Sequence, residues 1–169
     1  MGFSAIGVVV VQNTNFTDSV ARGDGADIAL LYTYAARVRG SPPTNAQFTN
    51  VRSSRAIAGG SGGALFTNVT EVQLWFTRCA FDECQARTGS GGCIFAVGGE
   101  LFVSESNFPL ARSDGAGGAI ALNTTAVRPA NVTIDDSRFV GCRTGWSGGA
   151  LFAEKTSRCS CARGSSATT

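Results

Sequence analysis

At 169 residues the chain is one domain long and large enough to enclose a core. Charged residues make up 15% and hydrophobic residues 43%, which excludes a disordered polyelectrolyte and a coiled coil; histidine is absent, which removes Ser-His-Asp and Cys-His catalysis, imidazole-ligated zinc and a histidine pH switch. The net charge of +2 is spread along the sequence and forms no basic stripe, so nucleic acid is not an implied partner.

In chain order, the first element runs from Met1 to Val11. It is apolar but lacks a basic leader and a small-residue cleavage site, and it reads as a strand with Val9 and Val11 facing inward, not as a signal peptide. Phe16 follows, and then Gly25-Ala26-Asp27-Ile28-Ala29, a degenerate form of a pentapeptide that returns down the chain. In the second unit Ser41 and Pro43 stand upstream of Phe48 where other units carry apolar residues, so a loop is expected to bulge there. The later units are regular: GGALF at Gly62 to Phe66, GGCIF at Gly91 to Phe95, GGAIA at Gly117 to Ala121 and GGALF at Gly148 to Phe152, each preceded by a phenylalanine, namely Phe48, Phe81, Phe108 and Phe139.

Self-similarity at this period means stacked units. Upstream of each phenylalanine the apolar residues alternate, with Leu74 and Phe76 before Phe81, Leu101 and Val103 before Phe108, and Val132 and Ile134 before Phe139, which is strand periodicity. Each unit reads as a coil of about three short strands, and strands of successive coils pair about 4.8 Å apart in parallel sheets with like residues in ladders. The expected core ladders are Phe16, Phe48, Phe81, Phe108 and Phe139, and Leu65, Ile94, Ile120 and Leu151 with Ile28. Three residues past each phenylalanine, Ser19, Val51, Cys84, Ala111 and Cys142 form a column of compact residues suited to a corner. The column of Ala64, Cys93, Ala119 and Ala150 contains Asp27, and because an aspartate in the core costs several kcal/mol this column is expected to face solvent. Residues 1–154 are thus read as the repeat domain and 155–169 as a Ser/Thr/Gly-rich tail or linker.

The GGA[ILV] segments paired with phenylalanine strands resemble the repeats of chlamydial polymorphic outer membrane proteins and, more broadly, the pectin lyase-like superfamily. The resemblance covers roughly Gly7 to Ala153 and implies an all-β fold, a right-handed parallel β-helix of about five coils. In place of the chlamydial Phe-x-x-Asn motif this chain has Phe81-Asp-Glu-Cys84 and Phe139-Val-Gly-Cys142.

Four sequons, at Asn15, Asn68, Asn123 and Asn131, point to a glycosylated protein that is extracellular or at the cell surface. Ser41-Pro-Pro-Thr44 looks like a segment of algal and plant cell-wall glycoproteins. Cys79, Cys84, Cys93, Cys142, Cys159 and Cys161 allow fifteen full disulfide pairings; Cys84 and Cys142 lie two coils apart, about 9.6 Å, and cannot pair. The alternative for Cys84, Cys93 and Cys142 is the role of small buried hydrophobes. No stretch reaches the ~18 apolar residues of a membrane-spanning helix.

Enzymes of the pectin lyase-like superfamily use clustered carboxylates with an arginine or lysine. The only paired aspartates are Asp135 and Asp136, which on a strand point to opposite faces and are expected to end it in a turn. Arg87, Arg112 and Arg143 recur after the phenylalanines as a candidate ladder for an anionic glycan, and Trp75 and Trp146 are candidate exposed contacts for a glycan or a partner. No catalytic set, metal site or cofactor is assigned. The expected function is a non-catalytic extracellular structural module, a fibre subunit that self-associates through open β-helix ends or a surface spacer or adhesin; the alternative is a polysaccharide-binding module or a lyase or hydrolase fragment.

Overall fold

The first glycine of each pair turns the chain. Gly62, Gly91, Gly117 and Gly148 have φ between +64° and +73°, a left-handed backbone that costs glycine little and other residues more. The computed structural model describes residues 2–4, 8–31, 44–69, 72–123, 131–154, 158–161 and 166–168. Among these there is no helix; the chain is a parallel β-solenoid.

After β1 (Gly2–Ser4), coil one contains β2 (Val8–Gln12), β3 (Asn15–Thr17), β4 (Val20–Ala21) and β5 (Ile28–Leu31). Coil two contains β6 (Thr44–Thr49), β7 (Arg52–Ser54), β8 (Ile57–Ala58) and β9 (Leu65–Thr67). Coil three contains β10 (Val72–Thr77), β11 (Ala80–Asp82), β12 (Gln85–Ala86) and β13 (Ile94–Val97). Coil four contains β14 (Glu100–Ser104), β15 (Asn107–Pro109), β16 (Arg112–Ser113) and β17 (Ile120–Asn123). Coil five contains β18 (Asn131–Asp135), β19 (Arg138–Val140), β20 (Arg143–Thr144) and β21 (Leu151–Ala153), and β22 (Arg158–Cys161) and β23 (Ser166–Thr168) follow.

Equivalent strands stack into four parallel sheets. The glycine sheet is β1-β5-β9-β13-β17-β21, the long sheet β2-β6-β10-β14-β18-β22, the phenylalanine sheet β3-β7-β11-β15-β19-β23 and the short sheet β4-β8-β12-β16-β20. A coil therefore has four strands where three were expected, because the two-residue strands of the short sheet are too brief to show periodicity. The segment after 154, expected as a tail, contributes β22 and β23, which extend the ladders of β18 and β19.

Two further corners per coil turn through residues that, with one exception, are not glycine. Asn13, Asn50, Arg78, Glu105 and Asp136 have φ of 41° to 54°, and Asp18, Arg55, Glu83 and Leu110 have φ of 52° to 57° with Gly141 at 62°. Asparagine and aspartate tolerate this region best, and the other side chains are strained there. Corner amides continue the ladder, as in Asn50 N to Thr77 O and Arg78 N to Ser104 O, so each strained residue keeps its backbone bond. Side chains tie the same corners: Arg78 Nε donates to Asn50 Oδ1 and Asn50 Nδ2 to Asn13 Oδ1, each at 3.0 Å, and Arg55 makes a two-point pair with Asp18.

The core is built from ladders. Ile28, Leu65, Ile94, Ile120 and Leu151 are in register along the glycine sheet, buried except for the partly covered Leu151. Phe81, Phe108 and Phe139 stack at centroid distances of 5.1 and 4.8 Å. Phe48 does not belong to that ladder: it pairs in register with Phe76 and Val11 in the long sheet and stacks on Phe76 at 4.7 Å. The phenylalanine position of coil two is Ser53, in register with Phe16 and Phe81. The apolar columns of coil two are consequently Ala46 and Phe48 themselves, in line with Leu74 and Phe76; Ser41 and Pro43, with the loop expected around them, lie outside the described residues. By the same shift the compact corner column takes Ala56, not Val51.

The Asp27 column faces inward. Ala64, Cys93 and Ala119 are buried, as is Asp27 at 4% exposure. The reason is a backbone irregularity past the glycine turn: the amides of Cys93 and Ile94 both donate to Ala119 O, and those of Ala64 and Leu65 both to Cys93 O. With two successive amides on one carbonyl, strand alternation fails and two consecutive side chains enter the core.

Candidate functional site

The long sheet presents the most distinctive outer face. Alternation sends Leu74, Phe76, Leu101 and Val103 inward and their neighbours outward. In register along the outside run Val10, Gln47, Trp75, Phe102, Thr133 and Ser160. Trp75 is 39% exposed and stacks on Phe102 with ring centroids 3.8 Å apart and planes 11° from parallel. Phe102 thereby covers one face of the indole. Trp146, 83% exposed, lies apart from this shelf in the turn before the last glycine pair.

Beside the shelf, Gln73, Glu100 and Asn131 occupy one column. Gln73 Nε2 donates to Glu100 Oε2 at 2.8 Å and Asn131 Nδ2 to Glu100 Oε1 at 3.4 Å. On the other side Ser104 Oγ donates to Thr77 Oγ1 at 3.4 Å. An aromatic shelf flanked by ordered amides, a carboxylate and hydroxyls can stack on the apolar face of a sugar ring and exchange hydrogen bonds with its hydroxyls.

The phenylalanine sheet carries a groove of about 540 Å³ on its outer side. Ala80 and Asn107 form its floor, Asp82 borders it, and Arg52 and Arg138 stand at its ends. The two guanidinium groups belong to strands three spacings apart, about 14 Å. The expected arginine ladder is only partly present: Arg112 and Arg143 are in register, but Arg87 stands two residues past Gln85, the residue in register with Arg112. Asp135 and Asp136 do not converge: Asp135 ends its strand exposed, and Asp136 is the left-handed corner.

The interior holds a polar string. Ser53 Oγ donates to Asp27 Oδ2 at 2.5 Å, Ser19 also bonds the Asp27 side chain, and Ser53 Oγ lies 3.6 Å from Cys84 Sγ. Because serine replaces phenylalanine at position 53, about 10 Å³ of space is left among Phe16, Phe81, Ser53 and Asp27. Burial pushes the Asp27 carboxyl above its usual pKa despite the two serine bonds, which favour the ionised form. A raised folded pKa means that the native state binds this proton more tightly than the unfolded chain. Its stabilising effect is therefore complete below the ordinary aspartate range and is lost as the pH rises through the folded value. Asp27→Asn, neutral throughout, should lack this decline; urea midpoints of both proteins from pH 3 upward should diverge with rising pH, the variant becoming the more stable.

Cys79, Cys84, Cys93 and Cys142, proposed for disulfides from sequence, are buried free thiols. Cys79 Sγ donates to Phe48 O at 3.3 Å and Cys142 Sγ to Phe108 O at 3.2 Å; burial pushes the thiols of Cys79, Cys93 and Cys142 up. Cys159 and Cys161 are in backbone register with Val132 and Ile134, and their side chains lie outside the described residues. Of the sequon asparagines, Asn15, Asn68 and Asn123 are exposed, whereas Asn131 is half-buried and bonded to Glu100. Among the described residues no three metal-ligating side chains cluster, and no helix is long and apolar enough to cross a membrane.

The inward Asp27–Ser53 pair and the Trp75–Phe102 contact escape sequence reading, because both depend on register between coils; only the outward position of Trp75 is readable from strand alternation. Comparison with family models, with characterised proteins and with solved structures finds no match for this chain.

Proposed function

We propose that the protein is a non-catalytic structural module of the extracellular space or cell surface, a rigid solenoid that serves as a fibre subunit, spacer or adhesin. The observation that carries this reading is the continuity of the ladders: hydrogen-bonded registers pass through every coil, and Phe81, Phe108 and Phe139 form one stack along the axis. Stability in such an array sums over neighbouring coils, which suits a load-bearing rod. Kinship with the GGA[ILV] repeats of chlamydial polymorphic outer membrane proteins and with the pectin lyase-like superfamily belongs to the same proposal, supported by the glycine corner repeated in each coil.

N-glycosylation at Asn15, Asn68 and Asn123 is supported by their exposure, and Asn131 is expected to be empty. Self-association through the ends belongs to the same proposal, since the edges of parallel sheets are templates for pairing. Electron microscopy of material from the native source tests the fibre: filaments with an axial repeat of five to six strand spacings, about 24–29 Å, are expected, and discrete particles whose masses match the bare chain would overturn both the fibre and the glycans.

The exposed Trp75–Phe102 shelf favours a second reading, a polysaccharide-binding module. In affinity electrophoresis through a series of polysaccharides, Trp75→Ala should then weaken retention about fivefold in the gel that retards the parent, the size of one aromatic contact. Unretarded migration in every gel removes this reading, and release of unsaturated sugars would instead mark a lyase.

A further inference from the structure

In each coil one residue stands just before the short sheet and one just after the glycine turn. These pairs are Ser19 with Asp27, Ala56 with Ala64, Cys84 with Cys93, Ala111 with Ala119 and Cys142 with Ala150, the two members being matched by the registers of the short and glycine sheets. Contact between the two sides of a coil is seen twice: Ser19 bonds to Asp27 in coil one, and in coil three Cys93 Sγ donates to Phe81 O at 3.8 Å while Cys84 Sγ donates to Asp82 O at 3.7 Å, so both thiols lie on the same strand end. The glycine corner packs closely on the short sheet: a Cβ on Gly63 would run into the backbone of Gln85 and one on Gly92 into that of Arg112, each in the coil that follows.

Coil three alone has cysteine in both columns. We propose that Cys84 and Cys93 are a disulfide site, closed within one coil by exchange with a low-molecular-weight disulfide such as oxidised glutathione. The thiolate of one cysteine attacks the glutathione disulfide, forming a mixed disulfide and releasing one glutathione thiol. The second cysteine then attacks the mixed disulfide and releases the other. Two protein thiols lose two electrons and two protons, and one glutathione disulfide becomes two thiols. Both side chains are fully buried in the dithiol form, and burial holds the Cys93 thiol well above its ordinary range, so exchange takes place during folding or on local opening. The site holds whether or not the rod assembles into fibres, and its test does not depend on that reading.

The full chain, refolded from denaturant in a glutathione redox couple, would be alkylated under denaturing conditions and cleaved after Glu83 and Arg87. The expected result is a peptide bearing Cys84 joined to a peptide bearing Cys93, with Cys79 and Cys142 alkylated. Cys84→Ala and Cys93→Ala should both fold, because alanine is native to these columns at Ala56, Ala111, Ala64 and Ala119, and each should lose the link and leave the remaining cysteine alkylated. The oxidised parent should melt at a higher temperature than the reduced one, a shift absent from both variants. Alkylation of both Cys84 and Cys93 in the folded parent, their linkage to any other cysteine, or an equal yield of the link in chain held in denaturant would overturn the proposal.

Discussion

Phe108→Ala should lower the unfolding free energy by about 4 kcal/mol, read as a drop in the urea midpoint. Phe108 is fully buried and lies between two rings, 5.1 Å from Phe81 and 4.8 Å from Phe139. Removing it withdraws a large apolar side chain from the core and both stacking contacts at once. The space cannot close, because the distance between coils is set by backbone ladders on either side, Asn107 N to Cys79 O and Arg138 N to Ser106 O among them, each pinned at 2.8–2.9 Å. Phe102→Ala provides the comparison: it too is a stacked phenylalanine, but on the outer face, where water takes the vacated place, and its cost should stay near 1 kcal/mol. Equal losses for the two variants would mean that the axial stack is not what holds the coils.

The period and the inward aliphatic column were readable because they repeat: position 65 returns at 94, 120 and 151 with the same chemistry. Register in coil two was not, because Phe48 offers a plausible anchor whichever column it fills. Only pairing with Phe76 reveals that it belongs to the long sheet and that Ser53 holds the ladder position. Asp27 points inward against the expectation because its partners lie elsewhere in the sequence. A lone buried carboxylate is costly, but this one has Ser53 opposite a missing ring and Ser19 across the coil, both serines from other parts of the sequence. Non-glycine corners such as Arg78 and Leu110 leave no signal, since their left-handed φ is imposed by the ladders around them and not by their own preference. Of the candidate site, the outward position of Trp75 could be read from alternation, whereas its stacking on Phe102 and the Gln73–Glu100–Asn131 bonds depend on which strand lies next door.

Gly92→Ala, the addition of one methyl group, should cost about 3 kcal/mol. Gly92 is the second glycine of its pair, and a Cβ there would strike the carbonyl of Gly118 in the next coil and the backbone of Arg112. Neither obstacle can yield: Arg112 N is bound to Cys84 O at 2.9 Å, and Gly118 N donates to Gly148 O at 3.3 Å, so relief at one coil displaces the next. Gly63 and Gly118 stand in the same relation to Gly92 and Gly149, which is why the second glycine recurs although only the first needs a left-handed backbone. The control is Gly23→Ala, whose Cβ would meet nothing within 4 Å, and its midpoint should stay within about 0.5 kcal/mol of the parent. Should both alanines prove neutral, coil-to-coil contact at the glycine corner would not set the spacing of the solenoid; a loss confined to Gly92→Ala identifies the second glycine as the residue that lets neighbouring coils meet.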